Sequence, residues 1–392
     1  MQTFDWIVVG NGLVGAAVSY ELARCGLSVL LIDRALEPGN ATRYSYGGIP
    51  YWSGSTALTR QLCQEGIAKH RQLSDELGAD TQLRELDLLL TLAADADPAA
   101  AAEPYKKFAT PPQFVAAAAA VELEPLLNEA AIAGAFTVRH GHVSPVALVN
   151  AYNQAFQRLG GTRIIASVMD VVRIKDKVTG VLTAEQAYPA KQVLVAAGAF
   201  SRALLHQAHV SVPLYYTHAE LIETPPLDLG LRALIMPAQT QRFALEAQAS
   251  QPDTDPRWDE PGHEVTPPIL DSGAVQFLDG HMCIGQISRT LTDLEADLDE
   301  AESDRTMRAA IAAQIPALGQ VPGTWRRCRV SFSRDGLPLI GPVPGVEGLY
   351  VMAGFSAPFV YLPPVAQRFA QAVVGQADAV IEAMGLTRFD QP

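Results

Sequence analysis

The chain has 392 residues, 48% of them hydrophobic and 18% charged, with a formal net charge of −13 from 29 Lys+Arg against 42 Asp+Glu. This supports two or three cored units, excludes wholesale disorder, and argues against nucleic acid or an anionic membrane surface as ligand. No run of about 20 uncharged apolar residues would span a bilayer and no basic leader opens the chain. The four scattered cysteines, with no C-x-x-C, fit a reducing cytoplasm rather than a disulfide framework or cysteine metal site.

Asp5 to Val9 reads as a short apolar strand. Gly10-Asn11-Gly12-Leu13-Val14-Gly15 follows, then a helix over Ala16 to Cys25, then a second strand from Ser28 to Ile32 ending at Asp33. Strand, G-x-G-x-x-G, helix, strand, acid is the order a dinucleotide site needs. Gly10 permits the tight turn, Gly12 the approach of a pyrophosphate, and Gly15 close helix–strand packing. Leu13 and Val14 open the helix, whose N-terminus favours phosphate. Asp33 would accept from ribose hydroxyls, with Arg34 beside it. Glu37 to Gly54 reads as a ligand-facing loop, from which Thr42, Arg43 and Ser45 reach phosphates or a ring.

Thr59 to Leu77 has helical periodicity and Arg84 to Leu92 reads as a strand. Asp95 to Pro112 reads as an Ala/Pro-rich connection, and Phe114 to Leu127 as a helix. Ser144 is an N-cap with Pro145 at the first helical position of a helix ending at Gly160-Gly161. Strands follow at 162–166, 168–175, 178–183 and 192–197, the last entering a small-residue turn at Ala197-Gly198. Leu214 to Glu223, Arg242 to Glu246, Ala274 to Leu278 and Met282 to Ile287 alternate like antiparallel strands. Pro252 to Pro268 reads as a loop or lid, Asp293 to Ile315 as an amphipathic helix, Arg326 to Phe332 and Gly348 to Gly354 as strands, and Leu362 to Val374 as the closing helix.

The whole chain resembles the FAD-dependent D-amino acid oxidase superfamily, and within it the glycine oxidase and sarcosine oxidase branch. The resemblance rests on Gly10 to Asp33, on Ser45-Tyr46-Gly47-Gly48-Ile49, on His142-Val143-Ser144-Pro145, on Val193 to Ser201, on Asp335-Gly336-Leu337-Pro338 and on Ala353-Gly354-Phe355-Ser356. It implies an α/β fold with an α+β two-domain layout. The Rossmann-like FAD-binding domain would be discontinuous (1–80, 141–212, 326–392), and an antiparallel-sheet substrate domain would fill 81–140 and 213–325. The cofactor implied is FAD, bound covalently or not. Val168 would hold the adenine, the turn at Ala197 and Gly198 would lie near the pyrophosphate, and Gly354, Phe355, Ser356, Val360, Tyr361 and Leu362 would approach the flavin. Gly47 and Gly48 would pass its face. Pro363 and Pro364 would stand in the first turn of the closing helix.

The reaction implied is hydride loss from a small amine or amino acid to FAD, followed by imine hydrolysis, with molecular oxygen or another acceptor taking the electrons. The substrate carboxylate is usually clamped by an arginine five residues before the Asp-Gly pair. Val330 stands there instead. Arg329 after a local shift, Arg43, or an amine lacking a carboxylate are the alternatives. Cys328 is near the place of a flavin-linked cysteine, but its neighbours do not match that pattern and it reads as a buried structural thiol. Tyr51, Trp52, Tyr215, Tyr216 and His218 are candidates for the substrate pocket. The eight histidines lack metal-ligand spacing, so no metal is expected. A partner-dependent electron-transfer subunit and a nicotinamide dehydrogenase remain alternatives, and the oligomeric state is left open.

Overall fold

A computed structural model describes residues 3–389; the outermost residues of the first and last predicted segments, 1–2 and 390–392, lie outside it. The strand Phe4–Val9 is the centre of the first sheet. It pairs in parallel with Ala187–Val195 on one side and Val29–Asp33 on the other; Leu349–Ala353 and Thr162–Ile165 extend the parallel set outward. Leu339–Pro342 adds an antiparallel edge, and Val168–Ile174 and Lys177–Thr183 form a meander leading into Ala187–Val195.

Both faces of the central strands are buried, as continuous apolar runs in parallel sheets require. Trp6, Val8 and Leu31 pack under the helices Leu13–Arg24, Ala57–Leu77, Pro145–Arg158 and Pro358–Val373. Ile7, Val9, Leu30 and Ile32 pack on the opposite face with Leu204, Leu205 and the meander. Ser144 caps Pro145–Arg158, accepting from the Ala147 N–H at 3.2 Å.

The second sheet runs Thr324–Ser333, Leu214–Glu223, Met282–Leu291, Glu264–Gln276, Leu234–Pro237, Arg84–Ala93, Ile132–His142, Gly48–Ile49, with Gln113–Ala116 off its edge. Its pairs are antiparallel except Leu234–Pro237 with Arg84–Ala93, which is parallel. Helix Glu300–Gln314 covers one face through Met307 and Ile311. Gly48–Ile49 and Thr324–Ser333 pair within the second sheet; residues 48–49 and 326–333 were expected in the nucleotide domain, and the expected boundary at 326 falls inside a paired strand.

Several elements differ from expectation: the strand Glu264–Gln276 begins inside the segment read as a loop or lid, the connection Asp95 to Pro112 holds the short helix Pro98–Ala102, and the amphipathic helix begins at Glu300 rather than Asp293. Arg242 to Glu246 is part of a helix, Gln241–Ala249, not a strand. Phe114 to Leu127 divides into the strand Gln113–Ala116 and the helix Ala117–Leu123. The closing helix begins at Pro358, so Pro363 and Pro364 lie inside it rather than in its first turn. Each interior proline removes an N–H that would bond four residues back. The carbonyl released by Pro363 is that of Phe359, and it is taken by His70 Nε2 at 2.6 Å. The carbonyl released by Pro364 is that of Val360. It presses on Gly66 of the neighbouring helix, where a Cβ would fall 1.9 Å from the oxygen.

Candidate functional site

The carboxyl ends of the parallel strands open into one cavity of about 500 Å³ between the two sheets, where ligands bind in open α/β sheets. It is lined by Val9 and Gly10, by Ile32 and Asp33, by Ala196 and Ala197, and by Ala353 and Gly354, each pair a strand end.

The glycine turn is built for close approach. Gly10 has φ +106°, and a Cβ on it would fall 2.6 Å from the Ala196 carbonyl oxygen. On Gly15 a Cβ would fall 1.7 Å from the Gly10 carbonyl oxygen, so Gly15 is the contact between helix and turn and stands behind the cavity rather than in it. Helix Leu13–Arg24 has Gly12 as its N-cap and no side-chain cap on it. Thr42 Oγ1 accepts the Leu13 N–H at 3.1 Å. The remaining first-turn N–H groups and the helix dipole face the cavity at Gly12, Leu13 and Val14. Asp33 is held at the neighbouring strand end, accepting from the Asn11 N–H at 2.5 Å and the Ala35 N–H at 2.9 Å. Arg34 lies over the Phe200 ring at 4.5 Å.

Thr42, Ser45, Gly48, Val168, Ala197, Gly198, Gly354, Phe355 and Ser356 also line the cavity. So do Ala357, Pro358 and Phe359, which place the uncapped N-terminus of the closing helix against it. The opposite wall is the inner face of the second sheet: Ala219, Leu221, Cys328 and Val330 among others. Burial pushes the Cys328 thiol up to about 12, so it is held as a neutral thiol.

Several expected residues lie elsewhere. Arg43 turns outward and pairs with Glu223 at 2.5 Å, lining a separate groove with Arg326 and His281. Gly47 packs on the Val143 carbonyl. Val360, Tyr361 and Leu362 point into the helical core beneath the first sheet. Tyr51 donates to Glu85 at 2.9 Å, outside the cavity lining.

Tyr216 and His218 are on the wrong face of their strand. Thr217 pairs with Val330 and Ala219 with Cys328, so Thr217, Ala219 and Leu221 share the cavity side while Tyr216 and His218 point away; Tyr215 packs on Trp258 and Phe332 and donates to Asp255 at 2.6 Å, outside the cavity lining. Tyr216 donates to the Thr292 carbonyl at 2.5 Å and packs on Trp258. His218 is fully buried beside Tyr216, its pKa held down at about 4 by burial and the Arg329 and Arg327 charges. Arg329 borders the cavity, but its guanidinium is committed to the Leu294 carbonyl at 2.7 Å and Glu295 at 2.6 Å.

The charged groups that do enter this end of the cavity were not expected from the sequence: Arg242 from helix Gln241–Ala249 and Asp271 from strand Glu264–Gln276. Burial raises the Asp271 pKa against the pull of Arg242. Arg242 is held charged, the pull of the Glu246 and Asp271 carboxylates outweighing burial.

A family model described as "FAD dependent oxidoreductase" matches residues 5–372. The chain is 26% identical over 389 residues to a glycine oxidase of Pseudomonas aeruginosa, covering 96% of each. It is 23% identical over 383 residues to a 4-methylaminobutanoate oxidase (formaldehyde-forming) of Paenarthrobacter nicotinovorans, covering 94% of this chain and 43% of that protein. Its fold superposes on the crystal structure of glycine oxidase from Geobacillus kaustophilus with a TM-score of 0.80 at 21% identity, covering 99% of each. The cavity fits the cofactor of such a family: glycine backbone too close for any side chain and a helix N-terminus with first-turn N–H groups still open suit a pyrophosphate, Asp33 suits a ribose, and the wall of Ala219, Leu221 and Val330 suits a flat ring. With a family model spanning nearly the whole sequence, the chain belongs to the FAD-dependent oxidoreductases.

Proposed function

We propose that this protein oxidises the carbon–nitrogen bond of a small amino acid or amine. The observation that carries the reading is one continuous cavity that joins the glycine turn and Asp33 to an end bearing Asp271 of the second sheet and Arg242 of helix Gln241–Ala249. The oxidase names of its relatives support it. FAD supplies the two-electron acceptor there, taking an amine to an imine that water then hydrolyses.

The chain's own work is binding and orientation. The backbone N–H groups of Gly12 and Val14 hold the phosphates, with Thr42 beside them on the Leu13 N–H, Asp33 holds the ribose hydroxyls, and Ala166 to Val168 the adenine edge. The N-terminus of helix Pro358–Val373 offers partial positive charge to the ring. Ala219, Leu221, Cys328 and Val330 keep the opposing wall apolar and dry. Molecular oxygen or a second acceptor completes turnover. The unpaired cysteines support a cytoplasmic setting; among the described residues no helix is long and apolar enough to cross a membrane.

The test is an anaerobic screen of purified, FAD-loaded protein against glycine, N-methylglycine, D-amino acids and larger amines, following the flavin absorption. Bleaching by one class supports the reading. A protein that binds no FAD, or whose flavin is bleached by a reduced nicotinamide and by no amine, overturns it.

A further inference from the structure

The position expected to carry the carboxylate clamp is Val330, and Arg329 beside it is spent on Leu294 and Glu295. Helix Gln241–Ala249 nevertheless brings to the cavity a cation without a hydrogen bond to any described residue, Arg242, whose guanidinium carbon lies 5.0 Å from the centroid of the Phe243 ring. Arg242 and Glu246 stand one turn apart on helix Gln241–Ala249, with Ala249 continuing the same inward face and Phe243 exposed on the outer one. Arg242 Nε is 3.8 Å from Glu246 Oε1, too long for a hydrogen bond, and Glu246 instead accepts from the Thr217 hydroxyl at 3.3 Å. None of the five guanidinium donors of Arg242 is hydrogen-bonded to a described residue, whereas Arg202, Arg329, Arg368 and Arg388 are each held by several bonds.

Asp271 reaches the same space through a bulge. Leu270 pairs with Ile287 and Gly273 with Gly285, so Asp271 and Ser272 stand opposite the single residue Gln286. Such an insertion re-aims a side chain and recurs beside active sites. Gly273 presses on the neighbouring strand, where a Cβ would fall 2.3 Å from the Ile235 carbonyl oxygen, and this fixes the bulge against the sheet. The Asp271 carboxylate accepts no hydrogen bond from any described residue. A guanidinium and a carboxylate thus share a largely apolar cavity, with Leu221, Leu234, Met236 and Val275 among its lining, and neither has a hydrogen-bonding partner among the described residues. Leaving such groups unmatched when water is displaced is costly, so the lining selects a ligand that satisfies both.

We infer that Arg242 and Asp271 are the specificity-determining pair of this enzyme: Arg242 takes the substrate carboxylate through two parallel N–H···O bonds, and Asp271 takes the amine nitrogen. The inference rests on the proposed carbon–nitrogen oxidation and narrows its substrate class to amino acids, with plain amines disfavoured. Glu246 is a positioning residue that keeps Arg242 on the inward face.

The test uses FAD-loaded protein and two unreactive probes of matched size: benzoate, a carboxylate without an amine, and benzamidine, a cation without an oxidisable carbon–nitrogen bond. Their dissociation constants are read from the flavin spectral shift and by calorimetry. Arg242→Met should weaken benzoate at least ~30-fold and leave benzamidine unchanged or tighter; Asp271→Asn should do the converse; Arg242→Lys should recover part of the benzoate affinity, because it keeps the charge and loses the fork. Equal FAD content across the variants shows that the cavity is intact. Benzoate binding that is indifferent to both Arg242 variants in FAD-loaded protein overturns the inference and leaves the proposed reaction standing. Wild-type protein that takes up no FAD overturns the proposed reaction itself.

Discussion

The closing helix offers a quantitative check on how this fold holds its cofactor end. Pro363 deprives the Phe359 carbonyl of its helical donor, and His70 Nε2 supplies a substitute at 2.6 Å in a site where His70 is 1% exposed. The bond requires the Nε2–H tautomer. His70→Ala strands a buried carbonyl, which costs about 1–3 kcal/mol, and leaves a void the size of an imidazole, so a total loss of about 3 kcal/mol is expected. In a Pro363→Ala background, residue 363 regains an N–H that reaches Phe359 from within the helix, and the carbonyl is no longer stranded. The cost of His70→Ala should then fall to about 2 kcal/mol, a coupling of at least ~1 kcal/mol. Urea unfolding at saturating FAD, followed by tryptophan fluorescence for the four members of the cycle, measures this. Equal losses in both backgrounds, within ~0.3 kcal/mol, would refute the argument that the histidine replaces the missing helical donor.

Gly15→Ala drives a methyl group into the Gly10 carbonyl oxygen, a backbone contact no side-chain rotation relieves; FAD affinity, titrated by flavin fluorescence, should fall ~100-fold or more, and unchanged affinity would contradict the packing role. Four histidines are buried with depressed pKa values, His70 and His218 at about 4 and His140 and His142 at about 3, each with burial as the main cause. The unfolded chain therefore binds more protons below about pH 6.5, so stability is complete above that pH and falls as pH drops toward 4. Unfolding free energy against pH should slope by several kcal/mol per unit near pH 5, with about 5 as the ceiling for four groups, and a flat profile would contradict it. Tyr216→Phe removes a bond to the Thr292 carbonyl on the far side of the sheet; it should cost about 1 kcal/mol of stability and leave KM for the substrate unchanged.

The adenosine end of the site was legible because its geometry is imposed locally: only glycine tolerates φ +106° at Gly10 and the 1.7 Å approach at Gly15. The substrate end was not, for two reasons. Strand Leu214–Glu223 is buried along almost its whole length on both faces, so the alternation read in its sequence does not mark which set faces the cavity, Thr217 and Ala219 or Tyr216 and His218. Asp271 enters through a bulge that exists only by pairing with Met282–Leu291, and no local signal marks it. The five residues Arg242 to Glu246 are too few to separate a period of two from one of 3.6, and the helix they belong to is defined by its docking on strand Glu264–Gln276. In the closing helix, Pro358 occupies the first-turn place predicted for Pro363 and Pro364, and the interior pair survives because His70 and Gly66 come from another helix.

This cavity holds FAD and delivers the electrons of a carbon–nitrogen bond to it. A single anaerobic turnover measures that directly, with FAD-loaded protein, an amino acid that bleaches the flavin, and quantitation of the carbonyl product and released amine. One carbonyl and one amine or ammonia are expected per flavin reduced. Flavin reduction without carbonyl product, or no reduction by any amino acid or amine, would contradict it.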